Sequence, residues 1–251
     1  MKNNLGKKLV LIFVFIASLY ADDDFSYNIN VPYKISINKK EPLYLECEIK
    51  QLKYNDKIIF FKLTPKQNSA FEIHFLKLKE INKSHNKKLV YSYLIYPLKK
   101  GDYKLEFKLF LQKTNEEGLK PEYEGDRDNV LSMVSKDSYA NIKPILVNVK
   151  STNKNNILFG DFNLTYKINQ KTYEAYEPIY ITYTLSGEGY NPNIKDLFQK
   201  SKNYEYFLDT PKKIIKYTKN GTKIKYIYKY AFISNKSFTI PSVVLDYVKT
   251  P

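Results

Sequence analysis

Residues 177–185 read EPIYITYTL, and residues 41–49 read EPLYLECEI. In each, a Glu-Pro pair opens a run in which apolar and polar side chains alternate. Ile179, Ile181, Tyr183 and Leu185 fall on one side, with Tyr180, Thr182 and Thr184 on the other. A period of two in β-branched and aromatic residues marks a half-buried strand. Proline fits at the start, where no ladder hydrogen bond is lost. The same alternation runs through DYKLEFKLFLQ (102–112) and KIKYIYKYAF (223–232), where Tyr or aliphatic positions oppose lysines. A 3.6-residue apolar period is nearly absent. DNVLSMVSKDS (128–138) is the best helical candidate, with Asp128 or Asn129 capping a short helix through Val134. The chain is expected to be all-β.

The two Glu-Pro strands lie 136 positions apart. YSYLIYPLKKGDYKL (91–105) is echoed by YKYAFISNKSFTI (228–240), which sets Tyr91 and Tyr228 137 positions apart. Two matches at nearly one spacing mark an internal repeat: a strand after Glu-Pro, then a strand, a short turn and a strand. Several antiparallel strands within about 100 residues suggest an immunoglobulin-like sandwich. The expectation is therefore two tandem β-sandwich domains, residues 25–150 and 157–251, joined by the polar stretch STNKNN (151–156).

Residues 1–21 stand apart. Lys2, Lys7 and Lys8 precede the apolar run LVLIFVFIASL (9–19), and Tyr20-Ala21 then meets Asp22-Asp23-Asp24. That order is the order of a secretory signal peptide cut after Ala21, and the run is short for a membrane span. An uncleaved anchor is the rival reading. Export places the protein in the periplasm. Cys47, the single cysteine, rules out an internal disulfide and is expected in the core. The net charge of +15 comes from lysine, with Arg127 the one arginine. Nucleic-acid surfaces favour arginine's fork, so no nucleic-acid partner is expected.

Gly187, Glu188 and Gly189 raise the question of a phosphate cradle. A dinucleotide fingerprint needs a third glycine and a following helix, whereas position 192 is proline. The stretch reads instead as the place where a strand leaves its sheet. Glu122, Glu124, Asp126 and Asp128 lack a full calcium-loop pattern. His74 and His85 have no partners at zinc spacing, so neither metal nor cofactor is expected. His74 is placed on the polar face of its strand. No nucleophile elbow or carboxylate pair is evident, and no enzymatic activity is expected. Asn82 (EINKS) and Asn163 (DFNLT) carry an acidic residue two positions upstream. That extended sequon resembles the acceptor of bacterial periplasmic oligosaccharyltransferases, making both candidate glycan sites.

YEAYEPIYITYTLSGEGYNPNIKDL, YEYFLDTPKK and YKYAFISNKSFTIPSVVLDY together resemble the BatD, or oxygen-tolerance (aerotolerance), family. Glu177-Pro178, Gly187-Glu188-Gly189, Asp209-Thr210-Pro211 and Phe238-Thr239-Ile240-Pro241 occupy the family's motif positions; Tyr190 stands where the family often has Asn, with Asn191 following. The resemblance covers about 80 residues, and KKGDYKLEFKL and IKPILVNVKS support it upstream. It implies a non-enzymatic protein of the bacterial envelope whose partners are envelope proteins, among them von Willebrand A-domain membrane proteins. Relatives carry a C-terminal membrane helix; no such anchor is seen before this chain stops at YVKTP, so the expectation is a truncated form or a lost anchor. The expected function is a periplasmic scaffold that binds partners through strand edges and the loop Gly187, Glu188, Gly189, Tyr190, Asn191. The alternative is a surface adhesin or glycan-binding sandwich with tyrosines stacked on sugar rings.

Overall fold

The computed structural model describes residues 20–21, 24–52, 58–83, 86–122, 130–151, 158–169 and 173–248. The described chain is all-β. Its strands are β1 (Tyr20–Ala21), β2 (Phe25–Ile29), β3 (Lys34–Asn38), β4 (Leu43–Gln51), β5 (Ile58–Pro65), β6 (Phe71–Lys83) and β7 (Asn86–Pro97). There follow β8 (Gly101–Leu105), β9 (Phe107–Thr114), β10 (Leu119–Glu122), β11 (Val130–Met133), β12 (Lys136–Asn141) and β13 (Ile145–Lys150). The last are β14 (Leu158–Ile168), β15 (Ile179–Gly189), β16 (Glu205–Leu208), β17 (Lys212–Thr218), β18 (Gly221–Ile233) and β19 (Tyr247–Val248).

Up to residue 150 the strands form a five-stranded sheet, β1-β2-β4-β7-β6, two three-stranded sheets, β12-β9-β5 and β3-β13-β8, and the hairpin β10-β11. Pairing is antiparallel except between β3 and β13. One buried cluster draws Leu45, Cys47 and Ile49 from β4, Tyr91, Tyr93 and Ile95 from β7, Ile59, Phe61 and Leu63 from β5, and Leu109 and Val147 from β9 and β13. Full burial of such an aliphatic side chain contributes about 1.5–3 kcal/mol. The tyrosines do more than fill space. Tyr91 and Tyr93 donate their hydroxyls to the Phe61 and Leu63 carbonyls at 2.5 and 2.8 Å, fastening the five-stranded sheet to β5, an edge strand of the facing layer.

Among the described residues from 158 onward there is one sheet, β16-β18-β15-β14-β19, with β17 also paired to β18. Along β18, Ile224, Tyr226, Tyr228, Tyr230 and Phe232 are buried while Lys223, Lys225 and Lys229 are exposed, so the period-two reading holds residue by residue. The buried side packs against Phe198 and partly buried Ile194, Leu197, Phe238, Ile240, Val243 and Leu245. These come from irregular chain rather than from a second sheet. The closing strand expected after the turn within 228–240 is thus corrected: Phe238 and Ile240 cover the core, but the segment joins no ladder. Asp209-Thr210-Pro211 is the break between β16 and β17, which share one edge of β18 at different registers; proline has no donor to continue that ladder.

The internal repeat survives in three dimensions. Cys47 pairs with Tyr91 across β4 and β7, and Tyr183 pairs with Tyr228 across β15 and β18. The Glu-Pro pairs end matching turns. Glu41 N–H donates to the Asn38 carbonyl and Glu177 N–H to the Glu174 carbonyl, both at 3.2 Å. Each glutamate then accepts from the backbone N–H three residues earlier, at 2.9 Å for Asn38 and 3.1 Å for Glu174. The residue before each glutamate has positive φ, 63° at Lys40 and 65° at Tyr176. Their amides donate to the Pro97 and Ser234 carbonyls at 2.7 and 2.9 Å, at equivalent ends of β7 and β18.

The helix expected through Val134 is corrected. Val130–Met133 is β11, paired from Glu122↔Val130 to Leu119↔Met133. A four-residue segment with three apolar side chains fits strand or helix equally well locally, and a partner strand decides it. Asp128 and Asn129 lie outside the described residues, as do the linker at 152–156 and residues 1–19 of the expected signal peptide.

Candidate interaction surface at the joint of the two units

The loop singled out by its glycines lies where β7 of the first unit touches β15 and β18 of the second. Gly187 is inside the ladder, opposite Phe162 and Ile224, and Gly189 ends β15 opposite Gly160 and Thr222. The strand therefore leaves its sheet after Gly189. Both glycines are required by close approach. A Cβ on Gly187 would lie 2.1 Å from the Asp161 carbonyl oxygen, and one on Gly189 2.1 Å from that of Phe159.

Tyr96 of β7 reaches this point from the first unit. Its hydroxyl lies 2.7 Å from the Gly189 carbonyl and 2.9 Å from Thr222 Oγ1, and both Tyr96 and Thr222 are fully buried. Burial pushes the Tyr96 hydroxyl up to about 12, so it remains a donor. Tyr190 meets the Tyr96 ring edge-on at 5.1 Å and donates its own hydroxyl to Glu72 Oε2 at 3.1 Å. The other oxygen of Glu72 is 2.7 Å from His74 Nε2. The hydrogen bond from His74, aided by that from Tyr190, holds the Glu72 carboxyl below the usual glutamate range despite partial burial. His74 stacks on Tyr217 of β17 with ring centroids 3.7 Å apart.

His74 is thus not on a freely solvated polar face: its side chain is 17% exposed and lies against the second unit. The sequence reading missed Glu72, His74, Tyr96 and Thr222 as a group. One signal was present. In YSYLIYP, Tyr91 to Pro97 are buried without alternation, and a strand buried on both faces has something against its second face.

Lys40 closes the other side. Its ammonium sits 5.1 Å from the Phe159 ring centroid and 4.9 Å from that of Tyr190. Burial, with neighbouring Lys39, lowers its pKa. Lys40, Phe159, Tyr190, Asn191 and Asn193 border an open cleft of about 390 Å³. Asn191 accepts a hydrogen bond from the Tyr226 hydroxyl, and Glu188 accepts one from Thr218 at 2.6 Å while lying 4.0 Å from Lys223. Four of the five loop residues therefore hold their surroundings through named contacts. Tyr190 and Asn191 also face the cleft.

The remaining candidates are scattered. Asn82 is exposed near the end of β6 and donates to Glu80 at 3.2 Å; Asn163 is exposed in the middle of β14. Cys47 is buried, and burial pushes its thiol up to about 12, which suits a core residue. His85, Glu124 and Asp126 lie outside the described residues. Among the described residues, no helix is long and apolar enough to cross a membrane. No protein-family model matches the chain, and no curated protein matches it.

Proposed function

We propose that the chain is a non-catalytic interaction protein of the bacterial envelope, exported by its N-terminal signal peptide and held in the periplasm. In this reading residues 25–150 and 157–251 are two tandem immunoglobulin-like domains, the second with an irregular layer in place of one sheet. The protein serves a Bat-type complex linked to oxygen tolerance or stress, with von Willebrand A-domain membrane proteins among its partners.

The observation that carries the proposal is the use made of polar groups at the joint. Tyr96, Thr222, Glu72, His74 and Tyr190 bond or stack across the two units. Such a contact fixes two rigid bodies in one orientation and leaves edges, loops and the Lys40–Tyr190 cleft as surfaces for other proteins. The unpaired edge of β6, with Phe75 55% and Leu78 46% exposed, is one such surface.

The test is photo-crosslinking in intact cells from a crosslinker at Asn193, beside the cleft, and at Leu78, followed by mass spectrometry. The proposal expects a membrane protein of the envelope as the dominant adduct from at least one position. Adducts spread evenly over abundant periplasmic proteins from both positions would overturn it.

A further inference from the structure

The hairpin of β17 and β18 carries an unusual charge pattern. Residues 212–225 read KKIIKYTKNGTKIK, which contains six lysines and no acidic residue. The register sorts them by face. Ile214 is paired with Lys225 and Lys216 with Lys223. Lys212 and Lys216 lie two positions either side of Ile214 on the same strand, so they share its face. Ile214 is 49% exposed and is ringed by Lys212, Lys216, Lys223 and Lys225 on the solvent side of the sheet.

Lys216 and Lys223 stand directly opposite each other, an arrangement that costs stability through like-charge repulsion. Neutralisation is slight. Lys223 has Glu188 at 4.0 Å, while Lys212, Lys216 and Lys225 make no ion pair with another described residue. Four lysines of the first unit do have acidic partners: Lys66 with Glu106, Lys87 with Glu80, Lys88 with Glu48 and Lys113 with Asp24. Glu205 and Asp209 lie towards the far end of β18, beyond the ring.

We infer that this face of the β17–β18 hairpin docks on an anionic phospholipid surface. The lysines take the headgroups and Ile214 enters the boundary between headgroup and acyl chain. The chemistry matches on both counts: lysine stems cover apolar surface while their ammonium groups reach anionic oxygens, and an apolar centre inside a basic ring suits a layer that is charged outside and oily beneath. An acidic strand added to the free edge of β17 is the competing occupant. The arrangement favours the bilayer, because lysines along an edge strand discourage pairing there, whereas the ring itself lies on the face. The inference concerns the lysine-bearing face of the hairpin, which meets the loop only through Lys223 and Glu188, and does not depend on which proteins the chain binds.

Co-sedimentation of the full chain with vesicles tests it, comparing pure phosphatidylcholine with phosphatidylcholine containing about one-third phosphatidylglycerol. Binding to the anionic vesicles alone is expected, lost at high salt. Each lysine removed should weaken it about fivefold, so Lys212→Gln/Lys216→Gln/Lys225→Gln loses about a hundredfold. Ile214→Ser should lose several-fold, and an unchanged unfolding transition shows that the variants fold. The control Lys34→Gln/Lys62→Gln/Lys104→Gln removes the same charge from the first unit and should bind nearly as wild type. Equal loss in the control would overturn the inference, since attraction would then follow total charge. Binding of polyglutamate at the hairpin with no sedimentation on anionic vesicles would overturn it in favour of an acidic polypeptide.

Discussion

The hydroxyl of Tyr96 lies 2.7 Å from the backbone carbonyl of Gly189, 93 positions later in the chain. One strand of the first unit thereby binds the last residue of the central strand of the second. The glycine is needed because its own strand partner leaves no room for a side chain, and the tyrosine because its reach spans the gap. A loop that invites comparison with a phosphate cradle is, in this fold, the socket of a joint.

Replacing either socket glycine by alanine should be costly. The new methyl at 187 or 189 would meet a backbone carbonyl oxygen at 2.1 Å, and backbone in a paired ladder cannot move aside cheaply. Overpacking of this kind costs about 1–3 kcal/mol, and the upper half of that range is expected at both positions. Urea denaturation measures it; a loss within error of zero would show that the strands separate more easily than their pairing implies.

Asp196 should matter more than an exposed carboxylate ordinarily does. It accepts hydrogen bonds from Tyr230 and Tyr206, each at 2.8 Å, and from the Phe198 amide at 3.1 Å. Desolvation raises its pKa, but these hydrogen bonds together outweigh it and leave the group below its ordinary value. Asp196→Ala leaves the buried Tyr230 hydroxyl without its acceptor, though still accepting from the Leu197 amide at 2.9 Å, and should cost about 1–3 kcal/mol. In a Tyr230→Phe background the same substitution should cost clearly less, which a double-mutant cycle reads directly.

The joint should weaken in acid through Glu72. Its pKa is depressed in the folded protein, chiefly by the hydrogen bond with His74, so its contribution is complete above the ordinary glutamate range. That contribution is lost as pH falls through the depressed folded value. The carboxylate is 34% exposed, so solvent screens the effect and a small change is expected. Thermal unfolding of wild type and Glu72→Gln across that acid window should converge as pH falls. Parallel curves would show that Glu72 carries no pH-linked stability.

Much of the fold was legible because strands write a period of two into the chain. Cys47 and Tyr183 sit where the repeat places them, opposite Tyr91 and Tyr228. Reading failed where local pattern carries no decision. Val130–Met133 is too short to tell strand from helix, and the apolar residues of 238–245 cover a core without forming a ladder. The joint was least legible. Glu72 and Tyr190 are separated by 118 positions, and Tyr96 and Thr222 by 126. No periodicity links them; only the unbroken burial of residues 91–97 in β7 hints that a second surface lies against it.

The most direct measurement is calorimetric unfolding of the wild-type chain beside Tyr96→Phe/Glu72→Gln. Loss of the hydroxyl's two contacts and of the carboxylate's hydrogen bonds should remove about 1–3 kcal/mol of coupling. The account predicts one cooperative transition for wild type and two separated transitions for the double variant, as each unit melts alone. Two transitions already present in wild type, unmoved by the substitutions, would contradict it.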